Sequence, residues 1–338
     1  MGSKSIIVLP ICLYNSKNEV NQMTGRLRNL LLIIAISTSL TACGQNIVKD
    51  ETTIKHTENF TKKEQILQVE DTVISAKVNS QKEQSFYLWE EGNMPTVTEY
   101  TSNNGNYSDN PDFRPYIVFH PVPKGTKVKG AVMINAGGAF QFRSDSVEGT
   151  PVAEELSKRG YQSFVVNYRL RPYTQEEGAL DLARAVRFVR SHAVDYGIKE
   201  ENIAVMGFSA GGILSGEELL NYSGTISPKI LDKDYQPDEL DKVSADAAAC
   251  GMIYSFYGKL SVASTDIEKF RNSNLPPTYF AYGSKDPFVD QFEACIKALQ
   301  EAGVSVESHE LKGMPHGFGT SGKWIDGYDK WLTNIFSE

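Results

Sequence analysis

The stretch GFSAGGILSG, residues 207–216, sets one serine among glycines between two apolar runs. Ser209 is the centre of a G-x-S-x-G pattern running from Gly207 to Gly211. The chemistry this suggests is acyl transfer. A serine hydroxyl is a weak nucleophile at neutral pH until a base takes its proton, and the attacked carbonyl oxygen needs donors for the charge it gains. Chance alone supplies such a pattern about 0.1 times in a chain of this length and composition. Its surroundings add weight. The run NIAVMGF (202–208) reads as a buried strand, and a helix begins near Ala210. A strand–turn–helix bends the chain sharply at Ser209, and the flanking glycines let neighbouring backbone come close. The hydroxyl then stands above the sheet edge at a helix N-terminus, the arrangement of a nucleophile elbow.

The elements that must hold such a serine are legible along the chain. Apolar runs at 85–90, 114–120, 129–136, 161–170, 202–208, 244–255, 277–283 and 304–311 read as eight strands. Residues 151–160, 179–197, 290–302 and 324–336 read as helices; Leu182, Val186, Val189 and Ala193 share one face of the second. Strands alternating with helices predict an α/β domain with a mostly parallel sheet covered on both faces. In such sheets ligands bind beyond the carboxyl ends of the strands, so the informative residues are those just after strands.

From about residue 84 to the C-terminus, roughly three quarters of the chain, this pattern resembles the α/β-hydrolase superfamily. The likeness is strongest to the esterase branch that holds hormone-sensitive-lipase-like carboxylesterases and xylan side-chain esterases. The resemblance implies an α/β-hydrolase fold and a triad in the order Ser…Asp…His. The histidines are His56, His120, His192, His309 and His316. His316, in the glycine-rich GMPHGFG after the last strand, occupies the place of the family's base, with His309 as the alternative. Asp286, in AYGSKDPFVD, matches the place of the acid, with Asp290 as the other candidate. A helix N-cap is the purely structural role open to Asp286.

The segment INAGGAFQF (134–142) resembles the family's H-G-G-G-F loop, with Ala136 in place of the histidine and Ala139 in place of the third glycine. The donors there are backbone N–H groups, so neither change removes one. The resemblance assigns the oxyanion hole to Gly138 and Ala139 together with Ala210, the residue after the nucleophile; a plain glycine turn is the alternative. The Ala139 methyl is expected to narrow the acyl pocket. Arg169 and Asp181 read as structural, and Cys250 and Cys295 as buried free thiols. Tyr254, Phe256 and Tyr257 suit either the cleft or the core. The polar residues 221–242 are a candidate cap over the site.

The N-terminal part reads differently. Arg26 and Arg28 precede the apolar run LLLIIAISTSL (30–40), and LTAC follows at 40–43. A basic start, a short apolar run and small residues form a secretory signal, and L-T-A-C resembles a bacterial lipoprotein signal with Cys43 as the lipidated residue. An uncleaved anchor helix is the other reading. Measured from Met23 the signal has ordinary length, so translation is expected to start there. Residues 1–43 are thus read as leader, 44–80 as a polar tether with too little apolar surface to fold, and 81–338 as the catalytic domain. The expected location is outside the cytoplasm, attached to the bacterial cell membrane through an acyl anchor such as palmitate on Cys43.

The net charge of −8, with no basic block beyond the leader, argues against a nucleic-acid partner. The cysteines have no metal-type spacing, and serine acyl transfer requires no metal or cofactor. The expectation is a serine carboxylesterase acting on small or carbohydrate-borne short-chain acyl esters. A peptidase or lipase of the same fold, or a non-catalytic hydrolase-like binding domain, are the competing readings.

Overall fold

The computed structural model describes residues 84–337. Eight strands form one sheet: β1 (Gln84–Tyr87), β2 (Tyr116–His120), β3 (Gly130–Asn135), β4 (Tyr161–Asn167), β5 (Ile203–Phe208), β6 (Ala249–Ile253), β7 (Thr278–Gly283) and β8 (Val306–Leu311). Their spatial order is β1-β2-β4-β3-β5-β6-β7-β8. The pairs β1/β2 and β2/β4 are antiparallel and every other pair is parallel. Every residue of β3, β4, β5, β6 and β7 is buried, whichever way its side chain points. A strand with both faces covered has no use for polar alternation, which is why these segments read as unbroken apolar runs. The expected α/β-hydrolase architecture, a mostly parallel eight-stranded sheet with helices on both faces, is present.

The principal helices are α1 (Thr150–Lys158), α2 (Gln175–Ser191), α3 (Ala210–Asn221), α4 (Val289–Glu301) and α5 (Trp324–Ile335). Among the described residues, no helix is long and apolar enough to cross a membrane. The boundaries of α2 differ from the sequence expectation. The helix begins at Gln175, because Thr174 accepts from Glu177 N–H while the Glu177 carboxylate takes the Thr174 N–H, a reciprocal cap. It stops at Ser191, and a separate turn covers Ala193–Tyr196 up to the left-handed Gly197. The run at 244–255 contributes only its second half, Ala249–Ile253, to the sheet. Its first half is drawn off locally: Ala245 N–H bonds to Gly224 O, and Asp246 accepts from Gly224 N–H.

Behind the carboxyl end of β4 lies a buried ionic knot. Arg169 and Asp181 are both fully buried and meet at 2.8 Å, and the Arg169 guanidinium also donates to the carbonyls of Pro95 and Glu177. Asp181 additionally accepts from Trp89 Nε1 at 2.7 Å. Every charge is thus hydrogen-bonded, the condition under which ions are tolerated in a core. Both residues are structural, as their sequence context predicted. Cys250 and Cys295 are buried free thiols, and burial pushes each thiol up to about 12.

Candidate active site

Register places the strand ends side by side. Asn135 lies opposite Gly207, Phe208 opposite Ile253, Ile253 opposite Ala281, and Leu311 opposite Gly283. The loops that leave β3, β5, β6, β7 and β8 therefore emerge from one edge. They carry, in turn, residues 136–140, Ser209, Tyr254, Asp286 and His316.

Ser209 has φ 49°, ψ −119°, a left-handed conformation that ordinary residues rarely adopt. Neighbouring groups on the next strand's end hold it. Ser209 N–H donates to Ile253 O at 3.1 Å, and Ser255 Oγ donates to Ser209 O at 2.6 Å. The turn also needs close packing beside the serine. A Cβ on Gly211 would sit 2.0 Å from Asn135 O, so only glycine fits there. Strain of this kind persists where the surroundings over-determine it, and here it lifts the Ser209 side chain out of the chain path.

His316 bridges two partners. Its Nε2 lies 2.9 Å from Ser209 Oγ, and its Nδ1 lies 2.7 Å from Asp286 Oδ2. With Nδ1 carrying a proton donated to the carboxylate, Nε2 is left as the acceptor for the serine O–H. The other carboxylate oxygen, Asp286 Oδ1, accepts from Phe288 N–H at 2.9 Å. Asp286 is not a helix N-cap, since α4 starts three residues later at Val289. The loops of β7 and β8 come together because Gly283 has no side chain: a Cβ there would be 2.1 Å from Met314 O. Lys285 N–H donates to Met314 O, which fixes the two loops together. The His316 ring is flanked edge-on by Tyr254 and Phe288, with centroids 4.9 and 5.6 Å away.

The alternative candidates lie elsewhere. Asp290 is exposed on α4. His309, on the edge strand β8, stacks on Tyr279 and bonds to Glu307. His192 bonds to Phe188 O at the end of α2.

The loop 136–140 reaches over the serine: a Cβ on Gly137 would lie 3.0 Å from Ser209 Cβ. Gly138, Ala139 and Phe140 all have positive φ, at 129°, 54° and 59°. Gly138, Ala139 and Ala210 donate their N–H groups to no protein acceptor among the described residues. Ala210 opens α3, so its N–H belongs to the positive end of the helix dipole. Gly137, by contrast, is occupied. Its N–H donates to Glu148 Oε2 at 2.7 Å.

Glu148 is a site residue that sequence reasoning passed over. It lies in a short π-helical turn, Asp145–Gly149, just before α1, and is buried. Its Oε1 accepts from Tyr254 Oη at 2.6 Å. Burial pushes its carboxyl above the ordinary glutamate range, while the bonds from Tyr254 and Gly137 and the nearness of His316 pull the other way without cancelling the effect. Tyr254, Phe256 and Tyr257 are all buried in the core, and of the three only Tyr254 touches the candidate base. The polar segment 221–242 does not lie over Ser209. Its side chains accept from Thr96 N–H, Arg184 and Arg187, and its backbone at Gln236 bonds to the Asn93 side chain, so it covers α2 and residues 93–96.

The sequence profile of a family described as having the alpha/beta hydrolase fold matches residues 132–320. The chain belongs to that family. It is 26% identical over 223 residues to an acetylxylan esterase of Xylanibacter ruminicola, covering 63% of this chain and 45% of the relative. It is 26% identical over 220 residues to the esterase LipC of Mycobacterium tuberculosis, covering 57% and 54%. The chain thus spans about half the length of these curated relatives. Among solved structures, the fold is similar to an acetyl ester-xyloside bifunctional hydrolase from Caldicellulosiruptor lactoaceticus (TM-score 0.57, 23% identity, 75% of this chain and 95% of that one). It is also similar to Thermogutta terrifontis esterase 2 phosphorylated by paraoxon (TM-score 0.54, 19% identity, 75% and 94%).

Proposed function

We propose that this alpha/beta hydrolase is a serine carboxylesterase that cleaves short-chain acyl esters. Ser209 Oγ attacks the ester carbonyl while His316 Nε2 takes its proton. Asp286 holds His316 in the required tautomer and offsets the charge of the imidazolium. The N–H groups of Gly138, Ala139 and Ala210 receive the negative oxygen of the tetrahedral intermediate. His316 then protonates the departing alcohol, and water cleaves the acyl-enzyme by the same route in reverse roles. The observation that carries this reading is the bridging imidazole, 2.9 Å from Ser209 and 2.7 Å from Asp286. Hydrolysis of 4-nitrophenyl acetate tests it: the wild type is expected to turn over, and Ser209→Ala is expected to lose activity. Equal rates for the two proteins would end the proposal.

An acyl group on carbohydrate is the substrate class we favour. Two open depressions of about 480 and 340 Å³ adjoin the loop after β3 and share Tyr107 and Arg171. Tyr107 and Phe142 are exposed aromatics there, beside Gln141 and Arg171. Aromatic faces next to amide and guanidinium donors suit a sugar ring, which is apolar on its faces and polar at its rim. The relatives named for acetylxylan or acetyl ester–xyloside hydrolysis agree with this choice.

The L-T-A-C sequence supports a lipid on Cys43 and a place on the outer face of a bacterial membrane. Cys43, Met23 and the polar tether lie outside the described residues. Incorporation of radiolabelled palmitate into the wild type but not into Cys43→Ala tests the anchor.

A further inference from the structure

Glu148 lies outside the triad and donates no group to the reaction, yet one of its carboxylate oxygens holds the backbone of the loop over Ser209 and the other holds the Tyr254 side chain beside His316. Oε2 holds the Gly137 N–H at 2.7 Å. Gly137 is the last residue before three successive positive-φ residues, Gly138, Ala139 and Phe140, two of which carry side chains. Such a run does not hold itself. It is pinned at the far end by Arg171 N–H on Phe140 O and within by Gln141 N–H on Gly138 O, and at the near end by Glu148. Oε1 accepts from the Tyr254 hydroxyl at 2.6 Å. Tyr254 is itself a positive-φ residue, at 38°, and its ring stands edge-on to His316. The same hydroxyl accepts Gly319 N–H at 3.4 Å, from the loop that carries His316.

Resting on the serine esterase reading above, we propose that Glu148 is a positioning residue. One buried carboxylate braces the oxyanion loop on one side and, through Tyr254, the seat of His316 on the other. Because Gly137 N–H is turned to Glu148, the next two peptides are left to turn their N–H groups toward the substrate oxygen. Both of Glu148's oxygens already accept hydrogen bonds, so the bracing role calls for the ionised carboxylate. Loosening it displaces donors that matter when the oxyanion has formed, more than contacts to the ground-state ester.

Glu148→Gln and Tyr254→Phe in the full chain separate this from a merely structural role. The substitutions are measured by steady-state hydrolysis of 4-nitrophenyl acetate and by inhibition with a trifluoromethyl ketone, which forms a tetrahedral adduct resembling the intermediate. Glu148→Gln is expected to lower kcat by about 10- to 100-fold with KM within about twofold, and to weaken the ketone in proportion. Tyr254→Phe is expected to do the same to a smaller degree. Either variant, once folded, that keeps wild-type kcat and ketone affinity overturns the proposal. So does a loss confined to KM. If Glu148→Gln does not fold, Tyr254→Phe alone decides. A fluorophosphonate probe on the wild type tells the two ideas apart: if Ser209 is not labelled, the esterase reading has failed before the bracing role is tested.

Discussion

Asp286 holds His316 through one carboxylate oxygen, at 2.7 Å, and ties its other oxygen to the Phe288 backbone N–H, at 2.9 Å. The carboxylate is therefore fixed before it meets the imidazole, with its side chain wholly buried. In the esterase reading it selects the tautomer in which Nε2 faces Ser209. Asp286→Asn keeps the size of the group but permits the opposite tautomer. We expect kcat for 4-nitrophenyl acetate to fall by roughly a thousand- to ten-thousandfold with little change in KM. A loss of less than about tenfold would remove Asp286 from this role.

Gly211 is required by close backbone, since a Cβ there meets Asn135 O at 2.0 Å and Ala136 O at 2.7 Å. Neither side can yield, because both are backbone of the elbow and of β3. Gly211→Ala should cost about 3 kcal/mol, the upper end of ordinary overpacking, and should reduce activity with it. Urea unfolding followed by tryptophan fluorescence reads the first, and an unchanged midpoint would show the turn to be more pliant than described.

The Arg169–Asp181 pair is fully buried and shares its atoms with Trp89, Pro95 and Glu177. Removing the Asp181 charge leaves buried Arg169 with only the more distant Glu177 carboxylate, at 4.0 Å, to offset it. Asp181→Asn is expected to destabilise the fold by about 3–5 kcal/mol, seen as a lower urea midpoint. A loss under about 1 kcal/mol would contradict the structural role.

Glu177 gives a pH window. Burial by itself would raise its carboxyl, but bonds from Thr98 Oγ1, Thr174 N–H, Thr96 Oγ1 and Val97 N–H win and hold it at about 2, against an ordinary 4.5. A carboxyl depressed in the folded state stabilises that state above the unfolded value, and the benefit is lost as pH falls through the folded one. The contribution is on the order of 3 kcal/mol, present at neutral pH and lost progressively from about pH 4.5 to 2. Glu177→Gln should flatten the acid-side decline of urea stability in that interval. Parallel curves for variant and wild type would refute the assignment.

How much of this was legible in sequence depended on how local the cause was. The buried strands were readable because both faces of the sheet are covered, which turns each into an apolar run bounded by turn residues. Ser209, Asp286 and His316 were readable as residues just beyond strand ends, and the structure brings those three together. The start of α2 was missed although T-Q-E-E, residues 174–177, carries the capping-box spacing; attention to apolar periodicity placed the start at Ala179 instead. The strand at 244–255 was overextended because Ala245, Ala247 and Ala248 continue the apolar run, while their hydrogen bonds are decided by Gly224 and the strand start at Ile203. Glu148 was invisible for a different reason. Its partners, Gly137 and Tyr254, are 11 and 106 residues away, and no local pattern marks a carboxylate that only the assembled sheet edge buries.

The central claim is that Ser209 is the nucleophile, and covalent capture tests it most directly. The full chain is treated with a fluorophosphonate and the adduct is located by peptide mass spectrometry. The account predicts one adduct, on the peptide holding Ser209, with loss of esterase activity in step and no adduct in Ser209→Ala. An adduct or undiminished hydrolysis in Ser209→Ala would contradict it.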